Sequence, residues 1–211
     1  SVAELATETG ASTVCGSCEP LLADLVGAPF KPEPVLAAGR PLVIVVVVCF
    51  IIGLLALLLP EPNYANQFNE ISWLEKFWTD SFLKKVTGFT LLGISVGAVL
   101  ISLRKRVNRL TFGTFPWWRF LHTILGLVAL VALYLHTGFS LGEHLNRYLM
   151  MDFVLLAIVG ALAGFVIGQE RLIGVGYSIK RLRSWFTHAH IILFWPLPIL
   201  LGFHVLSVYF F

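Results

Sequence analysis

The sequence predicts an all-α membrane protein with five transmembrane helices, a prediction that depends on its composition and on the length of its uncharged stretches. Of 211 residues, 57% are hydrophobic and 13% are charged, and the mean hydropathy is +0.85, values that are not typical of soluble domains. A helix crosses the hydrocarbon core with about 20 mostly apolar residues. Five stretches without Asp, Glu, Lys or Arg approach or exceed that length: 41–60, 86–103, 120–142, 153–169 and 184–211.

The segment before the first span, residues 1–28, is predicted to hold two short helices. The first covers Val2–Thr9 and ends at Gly10, and the second covers Glu19–Val26 and ends at Gly27. Glycine commonly ends a helix because it readily adopts the left-handed conformation required after the last turn. These residues therefore form a small helical unit outside the membrane.

A linker rich in proline, residues 29–40, is expected to connect this unit to a membrane domain that covers 41–211. Within the first span, Cys49 is expected to be a small buried apolar side chain. Pro196 and Pro198 are expected to kink the fifth span, because proline lacks the backbone donor that a continuous helix needs.

An amphipathic helix is predicted near residues 66–85, between the first and second spans. Apolar side chains recur there every three or four residues: Phe68, Ile71, Leu74, Trp78 and Phe82. Polar side chains occupy the other side, as in a helix with one buried face. The pattern leaves two arrangements open, a helix lying flat in the outer membrane interface and a loop helix packed on the bundle.

The basic residues predict the orientation of the spans. Five spans place residues 1–40, 104–119 and 170–183 on one side of the membrane. That side carries eleven Lys and Arg residues: Lys31, Arg40, Arg104, Lys105, Arg106, Arg109, Arg119, Arg171, Lys180, Arg181 and Arg183. The other side carries four: Lys76, Lys84, Lys85 and Arg147. Because cytoplasmic loops carry the excess of Lys and Arg, the N-terminus is expected in the cytoplasm, with a bacterial inner membrane as the expected location.

Four histidines form two pairs with the same spacing in the third and fifth spans. His122 and His136 are 14 residues apart, and so are His190 and His204. At about 100° per residue, 14 residues return a helix to within roughly 40° of the same face, about 21 Å further along its axis. The two spans run parallel, so the inner pair (His122 with His190) and the outer pair (His136 with His204) match in depth. Since an imidazole from each of two helices can ligate one haem iron axially, the spacing predicts two bis-histidine haems and electron transfer.

Two readings compete with this assignment. Histidines within a membrane span also act as single polar contacts or as proton relays. His188 competes with His190 as a ligand, although it lies 16 residues before His204 and hence roughly 160° around the helix. A kink between them changes this count, so the choice between the two histidines stays open.

Two further side chains are candidates for contacts to haem carboxylates. Arg119 lies three residues before His122, at the inner side, although it also fits a role in setting topology. His144 follows the third span in an external loop, where we expect a surface side chain or a propionate contact rather than an axial ligand.

The second to fifth spans resemble the dihaem four-helix bundle of the cytochrome b subunit of respiratory cytochrome bc complexes. In that family the second and fourth bundle helices each carry two ligating histidines at this spacing, and Trp118-Arg119 before His122 adds to the likeness. The Pro-Glu-Trp-Tyr motif of the family's quinol site is not in this sequence. The spacing is also similar to that of the ferric reductase and NADPH oxidase transmembrane domain, whose third and fifth spans carry the haems. The resemblance covers roughly residues 86–211.

The cysteine pair Cys15 and Cys18 is the one C-x-x-C of the sequence, and Glu19 follows it in place of the His of covalent haem attachment, so non-covalent haem b is expected. Residues 1–22 resemble the second half of a bacterioferritin-associated-ferredoxin-like [2Fe–2S] domain, in which two helices flank the second cysteine pair. The resemblance implies that Cys15 and Cys18 ligate iron. Such a cluster takes four ligands. The missing pair is expected upstream of Ser1, because the chain begins without Met; a partner subunit, or no cluster, are the alternatives.

Together these patterns predict an electron-transfer subunit or another part of an oxidoreductase. A cytoplasmic iron–sulfur module is expected to exchange electrons with the inner haem, and the outer haem with a partner on the far side. The rival hypothesis is a transmembrane reductase of iron, oxygen or quinone, and the third is a membrane anchor or transporter without haem. Expected partners are redox subunits or domains on both sides and the lipid membrane, with quinone as a further candidate. Nucleic acid is not expected, because the basic residues adjoin the spans without a base-stacking pattern.

Overall fold

The computed structural model describes residues 1–11, 19–28, 40–58, 72–103, 115–173 and 177–210, and these residues form helices without any strand. The helices are α1 (Val2–Thr9), α2 (Glu19–Leu25), α3 (Arg40–Leu58), α4 (Ser72–Thr79), α5 (Ser81–Leu103), α6 (Phe115–Thr137), α7 (His144–Ile173), α8 (Tyr177–Phe194) and α9 (Pro196–Phe210). The all-α prediction is confirmed for this part of the chain.

Five helical segments in the described ranges are long and apolar enough to cross a membrane. They are Arg40–Leu58, Ser81–Leu100, Pro116–Thr137, His144–Gly168 and Arg181–Tyr209, the last formed by α8 and α9 together. The five predicted spans are therefore confirmed in number and order for these residues.

The second span begins five residues earlier than predicted, because Asp80 caps it. The Asp80 carboxylate accepts hydrogen bonds from the backbone N–H groups of Phe82 and Leu83, both at 2.9 Å. A side-chain acceptor at this position satisfies donors that lack partners within the helix. The predicted helix near residues 66–85 is thus divided into α4 and the start of α5, and residues 66–71 lie outside the described ranges.

Helix α4 packs on the bundle through Trp78. The indole lies against Gly138, which has a φ of +63° just after α6, and a Cβ at this glycine would lie 2.7 Å from Trp78 Cγ. Helix α4 contacts both α5 and α6. Of the two arrangements that the sequence left open, the described part of this helix takes the packed one, although Trp73 stays 63% exposed.

The fifth span is broken at Trp195, as its prolines predict. The Trp195 N–H donates to the Ile192 carbonyl at 3.2 Å in a tight turn, and α9 then begins at Pro196. Proline disfavours helical backbone in the residue before it and provides no N–H to continue the ladder. The fourth span is longer than predicted, since α7 already begins at His144.

The apolar core lies between α3, α6 and α7. Its most buried side chains are Leu42 and Val46 on α3, Leu130 on α6 and Val154 on α7. Cys49 is buried in the same cluster, as expected. Helix α3 therefore packs against α6 and α7 from one side and leaves other faces of these helices for the rest of the bundle.

The remaining contacts arrange the histidine-bearing spans opposite each other. Helix α5 packs along α6, and α7 packs along α8 and α9. In the described part of the chain, α6 makes no extensive backbone contact with α8 or α9. The two spans that carry the histidine pairs are thus held apart by their neighbours, with room for side chains between them.

The N-terminal helices follow their predicted bounds closely. Helix α1 covers Val2–Thr9 and ends at Gly10, whose φ is 69°, while α2 ends at Leu25, before Gly27 with a φ of 62°. Helices α1 and α2 contact each other. The cysteines between them and the linker that follows fall within 12–18 and 29–39, outside the described residues.

Close packing of α7 on α3 predicts that a larger side chain at Gly164 destabilises the fold. A Cβ there would lie 2.7 Å from Val46 Cγ1, so Gly164→Leu must displace α3 or force Val46 from its rotamer, costing about 1–3 kcal/mol. We expect a lower melting temperature in detergent, followed by circular dichroism. Gly202→Leu is the matched control, because Gly202 is exposed and a Cβ added there would have no heavy atom of the described residues within 4 Å. Equal melting temperatures for both variants would contradict this packing.

Candidate metal centres

The structure brings the four predicted histidines together as two facing pairs. In the inner pair, the ring centres of His122 and His190 are 6.3 Å apart, with the ring planes at 89°. In the outer pair, the ring centres of His136 and His204 are 6.4 Å apart, with the planes at 86°. Two pairs with nearly the same separation and angle indicate two sites of one kind.

Backbone carbonyls orient the rings of the inner pair. His122 Nδ1 lies 3.0 Å from the Ala98 carbonyl oxygen on α5, and His190 Nδ1 lies 3.1 Å from the Leu156 carbonyl oxygen on α7. A carbonyl oxygen can only accept, so each Nδ1 carries the hydrogen and donates it. In a neutral imidazole this places the lone pair on Nε2, the nitrogen available to a metal.

Polar side chains orient the rings of the outer pair. His204 Nδ1 lies 2.7 Å from the Asn146 amide oxygen on α7, which can only accept. His136 Nδ1 lies 3.0 Å from the Thr87 hydroxyl on α5. That hydroxyl donates its own hydrogen to the Lys84 carbonyl at 3.0 Å, so it accepts from His136. Both rings therefore also carry the lone pair on Nε2.

The four hydrogen bonds follow one plan. Helix α5 orients both histidines of α6, and α7 orients both histidines of α8 and α9. Metal-ligating histidines typically donate their second ring nitrogen in this way, which fixes the tautomer and the ring rotation. Sequence reasoning missed Thr87 and Asn146. The sequence does show a polar residue near the outer end of each neighbouring span. Whether its side chain reaches a histidine depends on how α5 and α7 are rotated in the bundle, which is a tertiary property.

Glycines allow α5 and α7 to approach the rings. A Cβ at Gly88 on α5 would lie 3.0 Å from His136 Cε1, and one at Gly160 on α7 would lie 2.8 Å from His190 Cε1. A Cβ at Gly126, on α6 between the two histidines, would have no heavy atom of the described part of the chain within 4 Å. The glycines at 88 and 160 thus let α5 and α7 pack closely against the rings of His136 and His190. At Gly126, one turn from His122, the surface of α6 borders open space.

The donor set fits a metal that brings further ligands of its own. Among the described residues there is no group of three or more His, Cys, Asp and Glu side chains that could hold a metal ion. A zinc site needs at least three protein ligands, whereas haem iron has four porphyrin nitrogens and needs only axial ligands. Two metal–imidazole bonds of about 2 Å, plus about 1 Å from each nitrogen to its ring centre, give about 6 Å between ring centres. The ring separations of 6.3 and 6.4 Å match this sum.

The other candidate side chains lie apart from the two pairs. His188 is exposed, and its Nδ1 donates to the Ser184 carbonyl of its own helix at 2.7 Å. His144 is exposed as well and is the first residue of α7, with a φ of 48°. Arg119 is half-buried on α6, one turn before His122. The geometry therefore pairs His190, and not His188, with His122.

One acidic group within the spans escaped sequence reasoning. In the described residues, Asp152 Oδ2 on α7 and Thr137 Oγ1 at the end of α6 are buried side-chain atoms without a hydrogen-bond partner. Ionisable side chains inside membrane spans are usually functional.

The predicted iron–sulfur ligands, Cys15 and Cys18, lie outside the described residues, so the structure gives no geometry for them.

Comparison with protein-family models, with curated proteins and with solved structures finds no match to this chain.

The hydrogen bond between His204 and Asn146 predicts a loss of stability when its acceptor is removed. Asn146→Leu leaves the Nδ1–H of a half-buried ring without an acceptor, which costs about 1 kcal/mol. We expect a lower melting temperature in detergent, measured by circular dichroism. Asn146→Asp is the matched control, because a carboxylate still accepts the bond. The predicted role of Asn146 is wrong if the leucine variant melts with the wild-type protein.

Proposed function

We propose that this chain is the membrane-spanning electron-transfer subunit of a redox complex and holds two b-type haems. His122 and His190 would ligate one iron, and His136 and His204 the other. The observation that carries the proposal is the pair of facing imidazoles in each site, with ring separations of 6.3 and 6.4 Å that suit axial ligation of one iron. The tautomer set by each Nδ1 hydrogen bond supports it, since Nε2 carries the lone pair in all four rings.

Two axial histidines favour electron transfer over other haem chemistry. Each haem, when bound, supplies an iron that exchanges one electron between its ferric and ferrous states. With two histidines on each iron, the chain would leave no coordination position for oxygen. The 14-residue spacing sets the two sites about 21 Å apart along the helix axis, at opposite sides of an apolar layer. This arrangement suits transfer across a membrane.

The proposed orientation places the inner pair toward the cytoplasm, in a bacterial inner membrane. The excess of Lys and Arg on the side of His122 and His190 supports it. Trp117 and Trp185, which are 53% and 68% exposed, lie at that end of α6 and α8, where aromatic side chains commonly meet the headgroups. Arg119, on the same side, is the proposed carboxylate contact of the inner haem.

A [2Fe–2S] module is the proposed electron-exchange partner on the cytoplasmic side. Cys15 and Cys18 would supply two of its four ligands, and another part of the redox complex would supply the other two. The two short helices on either side of these cysteines, α1 and α2, suit the ferredoxin-like resemblance. Another redox subunit or domain would exchange electrons with the outer site.

A quinone-reactive transmembrane reductase is the second candidate, and an exposed histidine favours it. His188 borders an open surface hollow with Ser184 and Trp185, on the same helix as His190. The Nδ1–H of His188 is donated within its own helix, so its Nε2 can accept a hydrogen bond from a quinol hydroxyl. A short-chain quinol should then reduce the haem in the wild-type protein but not in His188→Ala. This result would distinguish a quinone-reactive reductase from an electron-transfer subunit without a quinone site.

Single histidine substitutions test the assignment of ligands to sites. His136→Ala should remove the outer haem and leave the inner one, and His122→Ala should do the reverse, because each haem depends on one pair. A pyridine haemochrome assay should then give one haem per chain instead of two, and a redox titration one component instead of two. His188→Ala is the matched control, since this histidine faces neither pair, and it should keep both haems.

Three outcomes of this experiment would contradict the proposal. Retention of both haems in His136→Ala would remove His136 from the ligand set. Loss of both in a variant that keeps its helical content would break the pairing by depth. Loss of a haem in His188→Ala would exchange the roles of His188 and His190.

A further inference from the structure

One face of α5 lines the outer site and extends beyond it. Thr87 accepts the hydrogen bond from His136, and a Cβ added at Gly88 would lie 3.0 Å from that ring. Lys84 precedes these residues by three and four positions, so it lies on the same face of the helix, one turn closer to the outer end. Ala98, which orients His122, lies further along α5 in the opposite direction. Lys84 is therefore placed at the mouth of the outer site.

The charge of Lys84 reaches both histidines of the outer pair. Its ammonium interacts electrostatically with His136 and also with His204, which stands on the facing helix. Lys84 is exposed and makes no ion pair with any residue that the structure describes. The positive charge of Lys84 thus acts on both imidazoles of the outer pair, and it has no anionic partner within the described ranges. The outer site therefore suits a bound anion.

Haem brings such an anion. Its two propionate carboxylates are charged at neutral pH, and a charge is costly within the hydrocarbon unless it is paired or reaches water. Lysine suits the edge of the hydrocarbon, because its flexible stem packs along apolar surface while the ammonium stays at the interface. A charge-assisted bond from ammonium to carboxylate is also stronger than a neutral hydrogen bond.

We propose that Lys84 binds a propionate carboxylate of the haem held by His136 and His204. This inference rests on the proposed function, since it assumes a haem at the outer site. Two consequences follow. Lys84 slows release of the outer haem, and its positive charge raises the reduction potential there, because reduction adds an electron beside a cation.

The adjacent Lys85 provides a matched control. It has the same charge, is exposed like Lys84 and differs by one position in sequence. One position is about 100° around the helix, so Lys85 lies about 100° from Lys84 and about 160° from Thr87, the residue that accepts from His136. A general effect of surface charge would appear in both lysine variants, whereas carboxylate binding would appear only in the variant at Lys84.

The experiment compares Lys84→Gln, Lys84→Arg and Lys85→Gln in the full chain with both haems bound. Redox titration and the rate of haem transfer to an apo-globin acceptor are the readouts, and the outer haem is the component lost in His136→Ala. Lys84→Gln should lower the potential of the outer haem and speed its release several-fold, with the inner haem unchanged. Lys84→Arg should restore both properties, and Lys85→Gln should match wild type. Equal effects of the two glutamine variants would overturn the proposal.

Reconstitution with haem dimethyl ester separates carboxylate binding from an effect on folding. The ester has no carboxylate, so Lys84→Gln and wild type should release it from the outer site at the same rate. A several-fold difference that persists with the ester would show that Lys84 acts through the fold, and would overturn the proposal. A wild-type protein without haem would instead defeat the proposed function itself, so the two failures are distinguishable.

Discussion

The hydrogen bond donated by the Nδ1–H of each histidine is the interaction on which the arrangement of the two centres depends. A ring N–H in an apolar bundle needs an acceptor, because water is scarce there. The acceptors come from neighbouring spans: Ala98 and Thr87 on α5, Leu156 and Asn146 on α7. These bonds fix the rotation of every ring and leave the lone pair on Nε2. The equal spacing of the histidines places them on one face of each span, and the hydrogen bonds orient them.

Helix packing supplies the space that this orientation requires. The buried core joins α3 to α6 and α7, so the first span supports the bundle without contributing to either histidine pair. Glycine at positions 88 and 160 lets α5 and α7 stand close behind the rings of His136 and His190. The histidine-bearing spans, in turn, stay apart from each other. Close packing behind the rings and separation in front of them would both suit the proposed haem.

The features that the sequence predicted are those with a local or periodic cause. Five spans follow from uncharged length, and the facing histidines follow from a spacing of four helical turns. Helix α5 begins before the predicted start of the second span, because the length of an uncharged stretch gives no information about the helix cap at Asp80. Thr87, Asn146 and Lys84 escaped because their roles depend on how α5 and α7 are rotated in the bundle. The choice of His190 over His188 depends on the phase across the break at Trp195, which spacing alone does not give.

The most direct test of the central claim is an electron paramagnetic resonance spectrum of the oxidised, purified protein, with the spins counted per chain. The imidazole planes stand at 89° in the inner pair and at 86° in the outer pair. Ferric iron between two nearly perpendicular imidazoles is low-spin with a highly anisotropic signal. The account predicts two such centres per chain. High-spin iron, which indicates an open axial position, or a chain without haem would contradict it.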